Sequence, residues 1–145
     1  MTLLEHAKRF REAFNQEILE GFAPHGWIKE RLYDMQARLI EEEVKEFDEA
    51  ATLLKYSPND LSLQTDVLKE LSDVVFVCYQ FAAAFGLDLD TAMERVFESN
   101  MSKLGDDGKP VYRDDGKVLK GPGYKKPLLD DLITLSHRTY DTSSK

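Results

Sequence analysis

The sequence predicts an all-α fold, a four-helix-bundle-like core followed by a small C-terminal β-hairpin and loop. Three observations predict it. Apolar residues recur at helical spacing in four successive segments up to about Leu104. The breaks between them carry turn chemistry: two glycines and a proline in Glu20 to Trp27, then Pro58 with Asn59 and Asp60, then Gly86. Past Leu104 the period changes, and short β-prone runs flank an Asp–Gly pair. At 145 residues the chain reads as one domain, 1–145, with a helical core over about 2–104 and a basic hairpin and tail over about 105–145.

Each element has its own justification. Thr2 and Glu5 stand at capping-box spacing, and Leu4, Ala7, Phe10, Phe14 and Ile18 continue the first helix to the break at Glu20. The second helix is expected from about Ile28 to Lys55. The third is expected from about Leu63 to Phe85, with Gly86 as its C-terminal cap. The fourth, from about Asp90 to Leu104, is expected to turn Ala92, Val96, Phe97, Met101 and Leu104 inward. "VYR" and "KVL" around Asp115–Gly116 read as the hairpin, "GPGYKKP" as an irregular loop, Leu128 to Leu135 as a short helix and "DTSSK" as a frayed tail. The apolar run of the third helix predicts burial on every side. A second subunit would complete that burial in so small a chain, so a homo-oligomer, dimer or tetramer, is expected.

Composition excludes several classes. A net charge of −8 argues against a general binder of nucleic acid or anionic membrane. The lone Cys78 has no intramolecular disulfide partner, which suits a reducing compartment. The first ten residues lack the pattern of a signal peptide. The longest apolar run, Val74 to Leu87, contains Gln80 and is short for a bilayer. A cytoplasmic, soluble protein is expected. Charge is also uneven: Asn100 to Lys126 hold seven Lys or Arg against four Asp, a net of +3, so the remainder carries −11. A basic flap beside an acidic bundle suits a polyanion that arrives with metal; a solvated hairpin is the plainer alternative.

The acidic chemistry concentrates in "LIEEEVKEF", Leu39 to Phe47. On a helical wheel with Glu42 at 0°, the apolar stripe lies between about 20° and 140°, and Glu43 and Glu46 fall inside it at about 100° and 40°. Glu41 falls on the polar face. The third helix adds Glu70 and Asp73, three apart and hence neighbours on one face, with Asp66 on the same side. Carboxylates at core positions must be protonated, paired or bound to a cation. Lys45 and Lys69 are expected to point away from the stripe, which leaves metal as the best of the three. Oxygen-only ligands favour Mg²⁺ or Mn²⁺. Zinc and a di-iron centre are disfavoured by the scattered histidines, none of which follows a glutamate by three residues.

"EEVKE" (Glu42, Glu43, Glu46) followed by "ELSD" (Glu70, Asp73) resembles the EExxE…ExxD pattern of the all-α nucleoside triphosphate pyrophosphohydrolases. That superfamily includes MazG proteins, dimeric dUTPases and phosphoribosyl-ATP pyrophosphohydrolases. "ESNMSKL" and "DGKVLKGPGYKKP" resemble a single-domain MazG-like branch, so the resemblance spans roughly Arg31 to Leu128. It implies cleavage of a nucleoside triphosphate between the α and β phosphates, with two or three Mg²⁺ ions (Mn²⁺ in substitution) that neutralise the phosphates and activate water. It further implies Glu43, Glu46, Glu70 and Asp73 as metal ligands, with Glu42 or Glu43 as the catalytic group that orients or deprotonates the water.

By the same resemblance Asn100 and Lys103 face the phosphates, and Lys117, Lys120, Tyr124 and Lys125 belong to a tail that closes over substrate, with Arg113 a weaker candidate. The plainer reading of Asn100 and Lys103 is an ordinary helix C-terminus. For the base, Asn15, Gln16 and Trp27 are available, although Trp27 also suits a core anchor. The substrate expected is a deoxynucleotide such as dGTP or dCTP. A dUTPase is the enzyme alternative, and an alarmone hydrolase has no residue-level support. A rival of another class is an acidic helical module that binds a partner or a structural metal.

Overall fold

The computed structural model describes residues 1–133, and over them the chain forms four α-helices, one two-stranded antiparallel sheet and a short 3₁₀ turn. The polar tail and the last two residues of the helix expected over Leu128 to Leu135 lie outside the described residues. The chain divides into two compact units at Leu87–Asp88. Among the described residues no single helix is long and apolar enough to cross a membrane.

The first unit holds α1 (Leu3–Ala13), α2 (Glu30–Tyr56) and α3 (Leu61–Ala84), with α3 packed on both of the others. The expected capping box opens α1: Glu5 N–H donates to Thr2 Oγ1 at 3.1 Å and Thr2 N–H to Glu5 Oε2 at 2.7 Å. The helix ends five residues short of Ile18. Asn15 takes a left-handed conformation (φ 53°), while Gln16 N–H donates to Arg11 O at 2.8 Å and Asn15 N–H to Glu12 O at 3.2 Å. This is a Schellman stop built on asparagine instead of glycine. Phe14 and Ile18, expected on the helix, lie beyond its end and are exposed.

Asp60 caps α3 by accepting from Leu63 N–H at 3.2 Å. At its other end Gly86 (φ 65°) makes the expected stop, with Leu87 N–H donating to Ala82 O at 2.9 Å. The small run Ala82–Ala84 with Phe85 is the most buried part of the unit. It lets the 15–27 segment lie close, so that Leu19 N–H donates to Ala84 O and Gly21 N–H to Phe85 O. Phe22, Tyr33 and Phe81 gather around Phe85.

Burial of α3 on every side does not hold in the single chain. Val77 to Phe85 are largely buried, but Leu61, Leu68, Leu71, Val75 and Phe76 are exposed. Two neighbouring helices cover one side of a helix and leave the opposite side bare.

The second unit, Asp88–Ile133, holds α4 (Leu89–Met101), β1 (Val111–Tyr112) and β2 (Val118–Leu119). Asp88 caps α4 through Thr91 N–H at 3.1 Å. The helix stops before Leu104, and Phe97 and Met101, expected to face inward, are exposed; the buried residue is Ser99. The strands pair Val111 with Leu119 and Tyr112 with Val118. Arg113 N–H donates to Lys117 O at 2.7 Å and Gly116 N–H to Arg113 O at 2.9 Å, with Gly116 at φ 88°. The turn is therefore the three residues Asp114–Gly116, closed by a glycine bulge, one residue longer than the expected Asp–Gly pair.

Candidate active site

Packing of α2 on α3 brings three of the expected ligands together. One carboxylate oxygen from each of Glu43, Glu46 and Glu70 lies within 4.8 Å of the others. Glu43 and Glu46 share a face of α2 because they are three residues apart. Glu43 and Glu70 are half-buried and Glu46 is exposed. Glu43 Oε2 and Glu70 Oε2 are buried and accept no hydrogen bond among the described residues. Burial first, then the negative charges of Glu46 and Asp73, push the Glu43 carboxyl above its usual range.

Asp73, one turn past Glu70, adds its charge to this field and is partnered: Lys69 Nζ lies 2.8 Å from Asp73 Oδ2 and 3.3 Å from Glu70 Oε1. This corrects the expectation that Lys69 points away. Its stem is exposed, but four methylenes let the ammonium swing back over the next turn, and the two bonds push its pKa up. Glu41 and Glu42 are both exposed, and Glu42 stands beside the cluster in sequence without joining it.

Among the described residues, the one ammonium of Lys69 stands against Glu43, Glu46, Glu70 and Asp73, and two carboxylate oxygens stay without a partner, so the site is short of positive charge. The donor set is all oxygen, as Mg²⁺ or Mn²⁺ prefers, so these residues fit a divalent ion.

A cleft of about 570 Å³ runs between α1, α2 and α3 and reaches Glu43. Asn15 and Gln16 line it; Trp27 does not. Trp27 is 67% exposed with its ring beside His25, so it is no core anchor. The cleft also holds three buried polar side chains absent from the expected set: Arg11, Gln36 and Gln80. Arg11 Nε donates to Glu17 O at 2.7 Å and Nη1 to Gln80 Oε1 at 3.3 Å, while Gln80 Nε2 donates to Ala7 O at 3.3 Å. Burial lowers the Arg11 pKa, and the charge of Glu17 opposes that shift. The signal for these residues was their register: Arg11 follows Leu4 and Ala7 on the inner face of α1, and Gln36 lies between Leu32 and Leu39 on that of α2.

The remaining candidates lie in the second unit. Asn100 is exposed on the last turn of α4. The loop carrying Lys120, Tyr124 and Lys125 is tied to that helix end: Ser99 Oγ donates to Lys125 O at 2.8 Å, Lys125 N–H to Ser102 Oγ at 2.9 Å, and Gly121 N–H to Lys103 O at 2.8 Å. A Cβ on Gly121 would stand 2.6 Å from Leu104 O, so glycine is what lets the loop seat there. Lys120 Nζ lies 4.6 Å from the Tyr124 ring centroid. Lys103, Lys120, Tyr124 and Lys125 thus form one group, whereas Lys117 and Arg113 sit on the hairpin, the latter bonded to Asp115.

No curated protein matches the chain. The model of the phosphoribosyl-ATP pyrophosphohydrolase family matches residues 7–100, from α1 to Asn100 on α4. Such a match supports a nucleotide pyrophosphohydrolase that depends on a divalent metal, in keeping with the carboxylate cluster. On a match over most of its length, the chain belongs to the phosphoribosyl-ATP pyrophosphohydrolase family, within the MazG-like all-α nucleoside triphosphate pyrophosphohydrolase superfamily.

Proposed function

We propose that the protein is a Mg²⁺-dependent pyrophosphohydrolase of nucleoside triphosphates, deoxynucleotides of the dGTP or dCTP type foremost, releasing the monophosphate and pyrophosphate. One observation carries the reading: three carboxylates from two helices, two with buried unpartnered oxygens, stand together, and one of them, Glu43, lines a cleft of ligand size. Glu43, Glu46, Glu70 and Asp73 hold two or three Mg²⁺ or Mn²⁺ ions. When bound, such ions neutralise phosphate charge and acidify water. Glu42 or Glu43 orients the attacking water and takes its proton. Asn100, Lys103, Lys117, Lys120, Tyr124 and Lys125 grip the phosphates, for which lysine is a mobile point charge. Asn15 approaches the base within the cleft and Trp27 offers an exposed ring to stack on.

The working form in this reading is a homodimer or homotetramer. The exposed side chains Leu3, Leu71, Val75 and Phe76 line an apolar groove of about 520 Å³ on α1 and α3, which a second copy would cover. A cytoplasmic location goes with the free thiol of Cys78.

The test is a panel of dNTPs and NTPs with Mg²⁺, with dUTP and phosphoribosyl-ATP included, and products resolved as mono-, di-, ortho- and pyrophosphate. Monophosphate with pyrophosphate from one or a few bases is the expected result. Turnover of dUTP alone would make the protein a dUTPase, and of phosphoribosyl-ATP alone would give it the substrate in its family's name. No turnover from folded protein with Mg²⁺ or Mn²⁺ would favour the binding-module reading.

A further inference from the structure

We infer that Gln36 is the base-reading residue of the cleft, its buried amide oxygen accepting a hydrogen bond from an N–H on the edge of a nucleobase. The inference rests on the nucleotide reading and deepens it by assigning its selectivity to one side chain.

Gln36 is 5% exposed and lines the cleft, and its Oε1 accepts no hydrogen bond among the described residues. Buried polar atoms are nearly always satisfied, and an unsatisfied acceptor on a residue that lines a cavity is one a ligand donor completes after a small turn of the amide. The other two buried polar side chains of the same wall are engaged internally, Arg11 with Glu17 and Gln80, and Gln80 with Arg11 and Ala7. Gln36 is the one of the three with an orphaned oxygen.

Its position relative to the carboxylates points to a nucleotide. Gln36 precedes Glu43 by seven residues, two turns on the same face of α2, or roughly 10.5 Å along the axis. A ligand that meets both needs a hydrogen-bonding heterocycle at one end and a metal-binding group at the other. Leu39 lies between them on α2, and Phe10 and Phe76 add apolar surface to the same cleft, as a flat aromatic ring requires. The amide is neutral, so it discriminates by donor and acceptor pattern and not by charge.

Two measurements test this. The first is kcat/KM over the dNTP panel for wild type, Gln36→Met and Gln36→Glu. The second is calorimetric binding of the deoxynucleosides alone, without phosphate or metal. Gln36→Met is expected to flatten the panel, with the preferred base losing on the order of 10- to 100-fold and the poorest bases little. It is also expected to abolish nucleoside binding. Gln36→Glu keeps an acceptor and should keep the rank order. Gln36→Asn, which retracts the amide by one methylene, replaces the Met variant if that variant does not fold.

A uniform loss over all bases, or none, would overturn the inference while leaving the pyrophosphohydrolase reading intact. Nucleoside binding that depends on Gln36 without any triphosphate turnover would do the reverse. Neither binding nor turnover would overturn both.

Discussion

Lys69 Nζ sits 2.8 Å from Asp73 Oδ2, so a cation on the chain itself is already bonded to a carboxylate of the candidate metal site. Lys69 also reaches Glu70 Oε1, which makes it an internal counter-ion for two of the four expected ligands. A divalent ion that binds there must displace this ammonium or share its partners. Replacing Lys69 by Met should raise Mg²⁺ affinity several-fold and lower the melting temperature of the metal-free protein at neutral pH. Calorimetric Mg²⁺ titration and melts in EDTA read both, and an unchanged affinity would show that the pair does not compete with metal.

Glu43 is the most crowded carboxylate of the cluster. Glu43→Gln and Asp73→Asn should leave helix content intact by circular dichroism and lower turnover by at least about 100-fold. Glu41→Gln, on the exposed face, should change nothing. Full activity of the first two variants would remove the site from this position.

The pH dependence of the metal-free protein carries the mark of Glu43. Its carboxyl holds a proton more tightly in the folded chain than in the unfolded one. Its contribution to stability is therefore complete below the ordinary glutamate pKa and is lost as pH rises through the raised folded value. The difference between wild-type and Glu43→Gln melts in EDTA isolates this effect from Asp115, bonded to Arg113, and Asp131, which accepts from Arg95 at 2.6 Å; the lowered pKa values of these two act in the opposite direction. Mg²⁺ affinity should rise with pH over the same window, because the ion competes with that proton. A flat difference curve would contradict the assigned environment.

Gly86 joins the end of α3 to the 15–27 segment. A Cβ there would stand 2.4 Å from Leu19 O, on a backbone with φ 65°. Gly86→Ala should cost more than the ~1–2 kcal/mol of left-handed strain alone, measured by urea unfolding. Because that segment begins beside Asn15 in the cleft, nucleotide KM should rise as well.

The bare side of α3 tests assembly. Val75→Glu places a charge in the apolar groove shared with Leu3 and Leu71. If a second copy covers that groove, the mass by light scattering should drop to that of one chain of 16.6 kDa. An unchanged oligomer would place the interface elsewhere.

Helical periodicity and turn chemistry made the four helices, Gly86 and the hairpin legible, because those signals are local. Asn15 was missed as a helix stop for a related reason: asparagine enters the left-handed region less often than glycine, so the apolar residues Phe14 and Ile18 outweighed it. Phe97 and Met101 read as inward on spacing, but spacing says which residues share a face, not which face meets a neighbour.

By itself the sequence determined the class of fold, the two acidic motifs and the register that puts Glu43 and Glu46 on one side of α2. Those follow from residue type and a fixed helical repeat. Tertiary structure alone decided that Glu70 joins them, that Lys69 turns back onto Asp73, and that the oxygens of Glu43 and Glu70 end without partners. It likewise turned Arg11, Gln36 and Gln80 into the polar wall of one cleft. These are contacts between segments distant in the chain, or choices among rotamers of long side chains, and both are set by what packs against what.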